Sequence, residues 1–306
     1  MKPSSFDLLQ PETWHEALEG LNRYGEDSQI LAGGQSLIAM LNMRIAKPKI
    51  LIDINSIKND VPIINNKFDI EISALYRQIE LEKRIETKEE FPLLFECLPY
   101  VGHQQHRARG TVVGSLCHAD PSSEIPLCFI ALQGKLKLSS VFSQRIVNAE
   151  DFFLGPLLTS RKSNEIIKSI IIPKSKKNTG YAFKEISEKY GDFAMASFAV
   201  IAGENFIRFV VGGVSEKITS IEWSTTDLNQ IEDSLNDFAW DLNTTNDQYS
   251  TERYKRDIVR EFLYLGVHTL KSKQGINSGF NLFIISEAFF FAGFIYSYFY
   301  SALAPT

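Results

Sequence analysis

The apolar run Ile30-Leu31-Ala32 stops on Gly33-Gly34-Gln35-Ser36 and resumes as Leu37-Ile38-Ala39-Met40-Leu41. A strand-like run that breaks on two glycines and an amide predicts a strand, a tight loop and a helix start, in that order. Glycine has no Cβ, so it takes positive φ readily and lets a ligand approach the main chain. Consecutive amide N–H groups leading into a helix start form a small anion-binding concavity, and a phosphate-bearing ligand is its natural guest.

A second stretch has the same character. It runs Arg107-Ala108-Arg109-Gly110-Thr111-Val112-Val113-Gly114-Ser115-Leu116-Cys117-His118 and ends in Ala119-Asp120-Pro121-Ser122-Ser123-Glu124. Thr111 and Ser115 offer hydroxyls, and Asp120 and Glu124 offer acceptors. Asp120 is expected to make a turn with Pro121, and Glu124 to accept from a ligand hydroxyl or a backbone amide, in preference to acid–base work by the pair. Two such loops predict one extended, polar, phosphate-containing ligand held at both ends.

Together these motifs resemble the flavin-binding, or medium, subunit of the molybdenum hydroxylases, the group of carbon monoxide dehydrogenase and the xanthine dehydrogenases. The likeness rests on Ala32 to Leu37, followed by Met40-Leu41-Asn42-Met43-Arg44, and on Arg107 to Glu124; it spans residues 6–270. It implies FAD as cofactor. The implied contacts are Leu31, Ala32, Gly33, Gly34, Gln35, Ser36, Leu37 and Ile38 on the first loop, then Val101, then Thr111, Val112, Val113, Gly114, Ser115, Asp120 and Glu124 on the second. Ile166 is implied to line the ring, and Lys184 to place a cation near it. The family usually has two adjacent glycines after the Thr-hydrophobic pair; here the first is Val113, whose Cβ would crowd the cofactor if φ were positive there.

The resemblance also implies partners. A molybdopterin subunit would oxidise the substrate and an iron–sulfur subunit would pass electrons on, as a dimer of heterotrimers, with NAD, a quinone or oxygen as acceptor. No catalytic residue is expected in this chain, because flavin carries the redox chemistry. Two other readings stay open: a stand-alone FAD-dependent oxidoreductase of the same fold group, and a cofactor-empty scaffold subunit.

The net charge of −5 argues against nucleic acid as a partner, since a phosphate backbone demands a basic face. Cys97, Cys117 and Cys128 have neither the close spacing of a metal or cluster site nor an even disulfide count, so they read as reduced thiols. His103, His106 and His118 lack a carboxylate or thiol in a metal-ligand arrangement, and Arg44 and Arg109 read as solvated. The N-terminus lacks the apolar core of a signal peptide, which predicts a cytoplasmic protein.

The chain of 306 residues is long enough for more than one domain. Helices are read over 11–24, 38–45, 76–91, 93–102 and 125–132, and strands over 49–54, 134–138, 165–173, 180–185 and 205–212, with a hairpin at 63–74; 251–270 resembles the last helix of the family's C-terminal domain. With the resemblance, this predicts an α+β flavin-binding domain of the vanillyl-alcohol-oxidase-like (PCMH) type over 1–176, in subdomains 1–56 and 57–176. A small α/β C-terminal domain with an antiparallel sheet is expected over 177–272. The last segment, 273–306, is foreign to this pattern. Between residues 279 and 303 only Glu287 is charged, long enough at ~1.5 Å per residue to cross a bilayer, so membrane attachment is expected if this tail is native. Residues 275–306 resemble one helix of cytochrome c oxidase subunit III without the others, and are expected to carry no oxidase function.

Overall fold

The structure is a computed structural model, described for residues 2–271 apart from 59, 85, 225–230 and 248–249. The chain starts with β1 (Asp7–Leu9), then α1 (Trp14–Tyr24), β2 (Ser28–Leu31), α2 (Leu37–Asn42) and β3 (Ile50–Asp53). The strands form a parallel sheet in the order β1-β3-β2. Thr13 starts α1, its Oγ1 accepting from the Glu16 amide at 3.2 Å. Ala17, Gly20 and Leu21 are buried, and a Cβ on Gly20 would lie 2.6 Å from Leu9 Cδ2, so the helix needs a small residue there to lie on the sheet. β1 was not read from the sequence, because three residues are too few to show alternation. α2 ends before the expected residue 45, where Arg44 turns to φ 58°.

The second unit opens with the hairpin β4 (Ile63–Asn65) and β5 (Asp69–Ser73), followed by α3 (Gln78–Lys83), α4 (Thr87–Glu90), α5 (Pro92–Cys97), α6 (Gln104–Arg109), α7 (Val112–His118) and α8 (Glu124–Ala131). Next come β6 (Lys135–Ser139), β7 (Gln144–Asn148), α9 (Ala149–Phe152), β8 (Phe153–Gly155), β9 (Leu158–Thr159) and β10 (Ile166–Pro173). β4, β5, β10, β6 and β7 pair antiparallel in that order, with Ile170 fully buried in the middle strand. Three sequence expectations are corrected here. The helix over 76–91 is two short helices, the break letting Arg84 reach Glu90 at 2.7 Å. The helix over 93–102 stops at Cys97, because Pro99 lacks the N–H that would continue it, and a single 3₁₀ turn follows. The second ligand stretch is mostly helical: Thr111 caps α7, and only its flanks are loop.

The third unit is an antiparallel sheet of β11 (Gly180–Ile186), β12 (Ala196–Ala202), β13 (Phe206–Gly212) and β14 (Thr219–Ser224), followed by α10 (Ile231–Asp241) and α11 (Glu252–Lys271). One face packs on α10 and α11 through Phe198, Phe209, Leu235 and Leu263. The other face carries Phe183, Ala199 and Val210 into the core shared with α5 and α8. Tyr100 and Phe183 rings meet at 5.3 Å, and Gly213 N–H donates to the Pro121 carbonyl at 2.9 Å. The expected hydrophobic helix at 279–303 lies outside the described residues; among those described, no helix is long and apolar enough to cross a membrane.

Glu96 on α5 ties the units together by accepting from the Phe183 amide at 3.0 Å. Burial pushes its carboxyl up to about 7 against the opposing pull of that amide. A raised acid contributes stability that is full below its ordinary range and is lost as pH rises through the folded value. Between about pH 5 and 7, Glu96→Gln should therefore lose less stability than the wild type, the difference being on the order of 1–3 kcal/mol by thermal or urea unfolding.

Candidate functional site

The two glycine-bearing bends meet. A Cβ on Gly33 would lie 2.5 Å from the Arg109 carbonyl oxygen, 2.8 Å from Gly110 Cα and 3.0 Å from the Thr111 nitrogen. Only a glycine lets β2 end against the start of α7. Polar side chains hold this junction. Asn55 Nδ2 donates to the Ala32 carbonyl at 2.8 Å and to Asp53 Oδ1 at 2.6 Å. Arg77 donates to Asn55 Oδ1 at 2.6 Å and to the Arg109 carbonyl. Gln78 N–H reaches the Gly110 carbonyl at 2.9 Å, and Val112 N–H reaches that of Tyr76 at 3.0 Å.

A cleft of about 490 Å³ opens beside the junction. From the first bend it is lined by Ala32, Gly33, Gly34, Gln35, Ser36 and Leu37. Thr111, Val113, Gly114, Ser115 and Glu124 line it from the second, with Val101 and Ile166 beyond. The remaining residues expected at the site stand outside the lining. Leu31 closes β2, Ile38 is exposed on α2, and Val112 is buried in the core. Asp120 Oδ1 accepts from the Ser122 amide at 2.8 Å within its turn. Lys184 lies between Phe183 and Glu185, and the two-residue strand period turns it to the face of Phe198, where the Phe262 ring stacks at 4.3 Å. Val113 has no positive φ; it is the second residue of α7, so its Cβ carries no backbone strain.

The first bend presents main-chain amides, the kind of donor an anion accepts from. Among the described residues, the amides of Gly33, Gly34, Gln35 and Ser36 find no acceptor, and Gly34 is at φ 73°. At the second bend, Thr111 Oγ1 accepts from Gly114 N–H at 3.0 Å, and a Cβ on Gly114 would lie 2.6 Å from that oxygen. Arg107, buried at 6% exposure, fixes the Val101 wall. Its Nη1 donates to the carbonyls of Pro99, Val101 and Gly102 at 3.3, 3.2 and 2.9 Å, while Nε and Nη2 grip Glu82 at 2.8 and 3.1 Å. Burial holds His118, on the cleft wall, below its ordinary value despite Asp120, so it stands neutral near neutral pH.

Several lining residues were not singled out from the sequence. Gln78 opens α3, Arg161 lies between β9 and β10, and Gly191, Asp192 and Phe193 come from the loop between β11 and β12. Arg161 Nη1 donates to the Lys162 and Glu165 carbonyls at 3.1 and 2.7 Å. A Cβ on Gly191 would lie 2.7 Å from His103 Cε1, so the loop closes tightly on the start of α6. No local pattern marks these residues, because chain crossings bring them to the cleft. Replacing Gly33 by Ala should cost about 1–3 kcal/mol in unfolding measurements and widen the junction, since the obstructing atoms are backbone and cannot rotate away.

Residues 4–175 match the family described as the FAD binding domain in molybdopterin dehydrogenase. The chain is similar to the caffeine dehydrogenase subunit beta of Pseudomonas sp. (strain CBB1), with 35% identity over 204 residues, 66% of this chain and 69% of that protein. Its fold is similar to that of a carbon monoxide dehydrogenase from Hydrogenophaga pseudoflava that lacks the Mo-pyranopterin moiety of its molybdenum cofactor. The TM-score is 0.78 at 27% identity, over 86% of this chain and 96% of that one. A different likeness is found at the other end, where residues 220–306 match cytochrome c oxidase subunit III. A 57-residue stretch, 19% of the chain, is 49% identical to cytochrome c oxidase subunit 3 of Wickerhamomyces canadensis, of which it covers 21%. The subunit III match begins well before residue 273, so it overlaps β14, α10 and α11. The N-terminal match takes in more than half of the chain and both bends, and the chain belongs to the family of FAD-binding domains of molybdopterin dehydrogenases.

Proposed function

We propose that this chain is the electron-transfer flavoprotein subunit of a molybdenum hydroxylase, working with an iron–sulfur subunit and a molybdopterin subunit, in a dimer of such heterotrimers. The observation that carries this reading is the packing of Gly33 on the Arg109–Thr111 backbone, which gives both bends one cleft. In this reading the unbonded amides of Gly33 to Ser36 hold the FAD diphosphate, with the Thr111 and Ser115 hydroxyls beside them. Leu37, Val101, Val113 and Ile166 give apolar contact, and Glu124 accepts from a hydroxyl of the nucleotide. Bound flavin supplies transfer of electrons singly or in pairs, which no side chain of the cleft provides.

Residues 1–176 then form a flavin domain of the vanillyl-alcohol-oxidase-like type in two subdomains, and 177–272 its C-terminal companion. The lining contributed by Gly191, Asp192 and Phe193 supports a role for this third unit in closing the cleft. The acceptor is NAD, a quinone or oxygen, and residues 273–306 take no part in electron transfer.

Reconstitution tests the reading. The purified chain should turn yellow on addition of FAD, keep about one flavin per chain through gel filtration, and oxidise no hydroxylase substrate until the two partner subunits are added. A chain that stays colourless, or one that turns over substrate alone, would reject it.

A further inference from the structure

Glu185, on β11, is 7% exposed, and neither of its carboxylate oxygens has a hydrogen-bonding donor. An unpartnered buried carboxylate is costly, and native proteins seldom leave one so. What faces Glu185 is a second acid. Glu124, the first residue of α8, is 6% exposed, lines the cleft, and interacts with Glu185 side chain to side chain. Two ionised carboxylates have no donor between them, whereas one proton lets them bond.

The surroundings favour that proton. Cys97 of α5 is buried near both carboxyls, with Cys128 of α8 beside it. Burial raises Glu124 to about 7, and Asp120 adds repulsion there, which the Arg107 guanidinium partly offsets. The Ser187 hydroxyl favours ionisation of Glu185 without closing a hydrogen bond of normal geometry. Ser197, opposite Glu185 in the ladder, is fully buried, and its hydroxyl has no partner. The same sheet face meets the segment leading into α8, where a Cβ on Gly212 would lie 2.8 Å from the Pro121 carbonyl oxygen.

We propose that Glu185 is a positioning residue of the cleft: it shares a proton with Glu124, donating it across the buried pair, and so holds the Glu124 carboxylate as an oriented acceptor for a hydroxyl of the bound flavin nucleotide. The ligand in this statement rests on the flavin reading, while the acid pair belongs to the chain alone. Burial first, then the neighbouring carboxylate, raises Glu185 above the usual carboxylate range. The bond forms while the pair holds one proton and is lost as pH rises past neutrality, when both acids ionise.

Two measurements on the full chain decide it, with E185Q and E185A beside the wild type. The melting temperature of the apoprotein, followed from about pH 5 to about pH 9, should fall less in E185Q, whose amide donates to Glu124 at every pH. FAD affinity, read by fluorescence titration, should drop at least ~10-fold in the wild type between about pH 6 and 9. E185A should bind weakly at both, and E185Q should restore binding without the alkaline loss. Parallel melting profiles for wild type and E185Q, or unimpaired FAD affinity in E185A, would overturn the proposal. Absence of FAD binding by the wild type at either pH would overturn the flavin reading, and the apoprotein melting profiles would still decide whether the acid pair holds its proton.

Discussion

The close approach of two backbones, Gly33 against Arg109 to Thr111, governs the rest of the site. It fixes where β2 must end, where α7 must begin, and which amides face the cleft. The second bend is held between α6 and α7 by main-chain bonds to Gln78 and Tyr76, while the first has no such support among the described residues. Side chains brought from elsewhere, Asn55 and Arg77, complete the contact, their donors occupying the carbonyls of Ala32 and Arg109. At the first bend this leaves the N–H groups of Gly33 to Ser36 for a ligand while the Ala32 carbonyl is already used.

Arg107 extends the same logic to the next wall. A guanidinium buried at this depth is tolerated because Glu82 and the carbonyls of Pro99, Val101 and Gly102 satisfy its fork. The segment from Pro99 to Gly102, which has little regular structure, is thereby held at the cleft mouth. Such polar nets stabilise little in net terms, but they cost several kcal/mol when one member is removed. They specify geometry more than they add stability.

The third unit is joined to the others through acids that are costly to ionise. Glu96 and Glu185 both lie where β11 meets the helices of the second unit, and burial raises both. Acids raised by burial within an otherwise apolar docking face make that interface sensitive to pH. The loop that carries Gly191 to Phe193 closes on the cleft from this same sheet, so that sensitivity runs to the ligand wall.

Local order was legible in the sequence wherever one segment carries its own signal. The glycine pair after Leu31, the apolar β10 and the alternating β6 are read directly, because turn chemistry and hydrophobic period are local properties. β1 was hidden by its shortness, and the continuity of 76–91 was overridden by the pairing of Arg84 with Glu90. The second bend read as a loop because glycines and hydroxyls outweighed the helical register that Thr111 caps. Lys184 was carried over from a resemblance, and the pleat, which alternates faces residue by residue, put it behind the sheet while its neighbour Glu185 points at Glu124. Which bends meet, which arginine is buried and which acids share an interface were settled only by tertiary packing, since those distances belong to segments far apart along the chain and no local pattern encodes them.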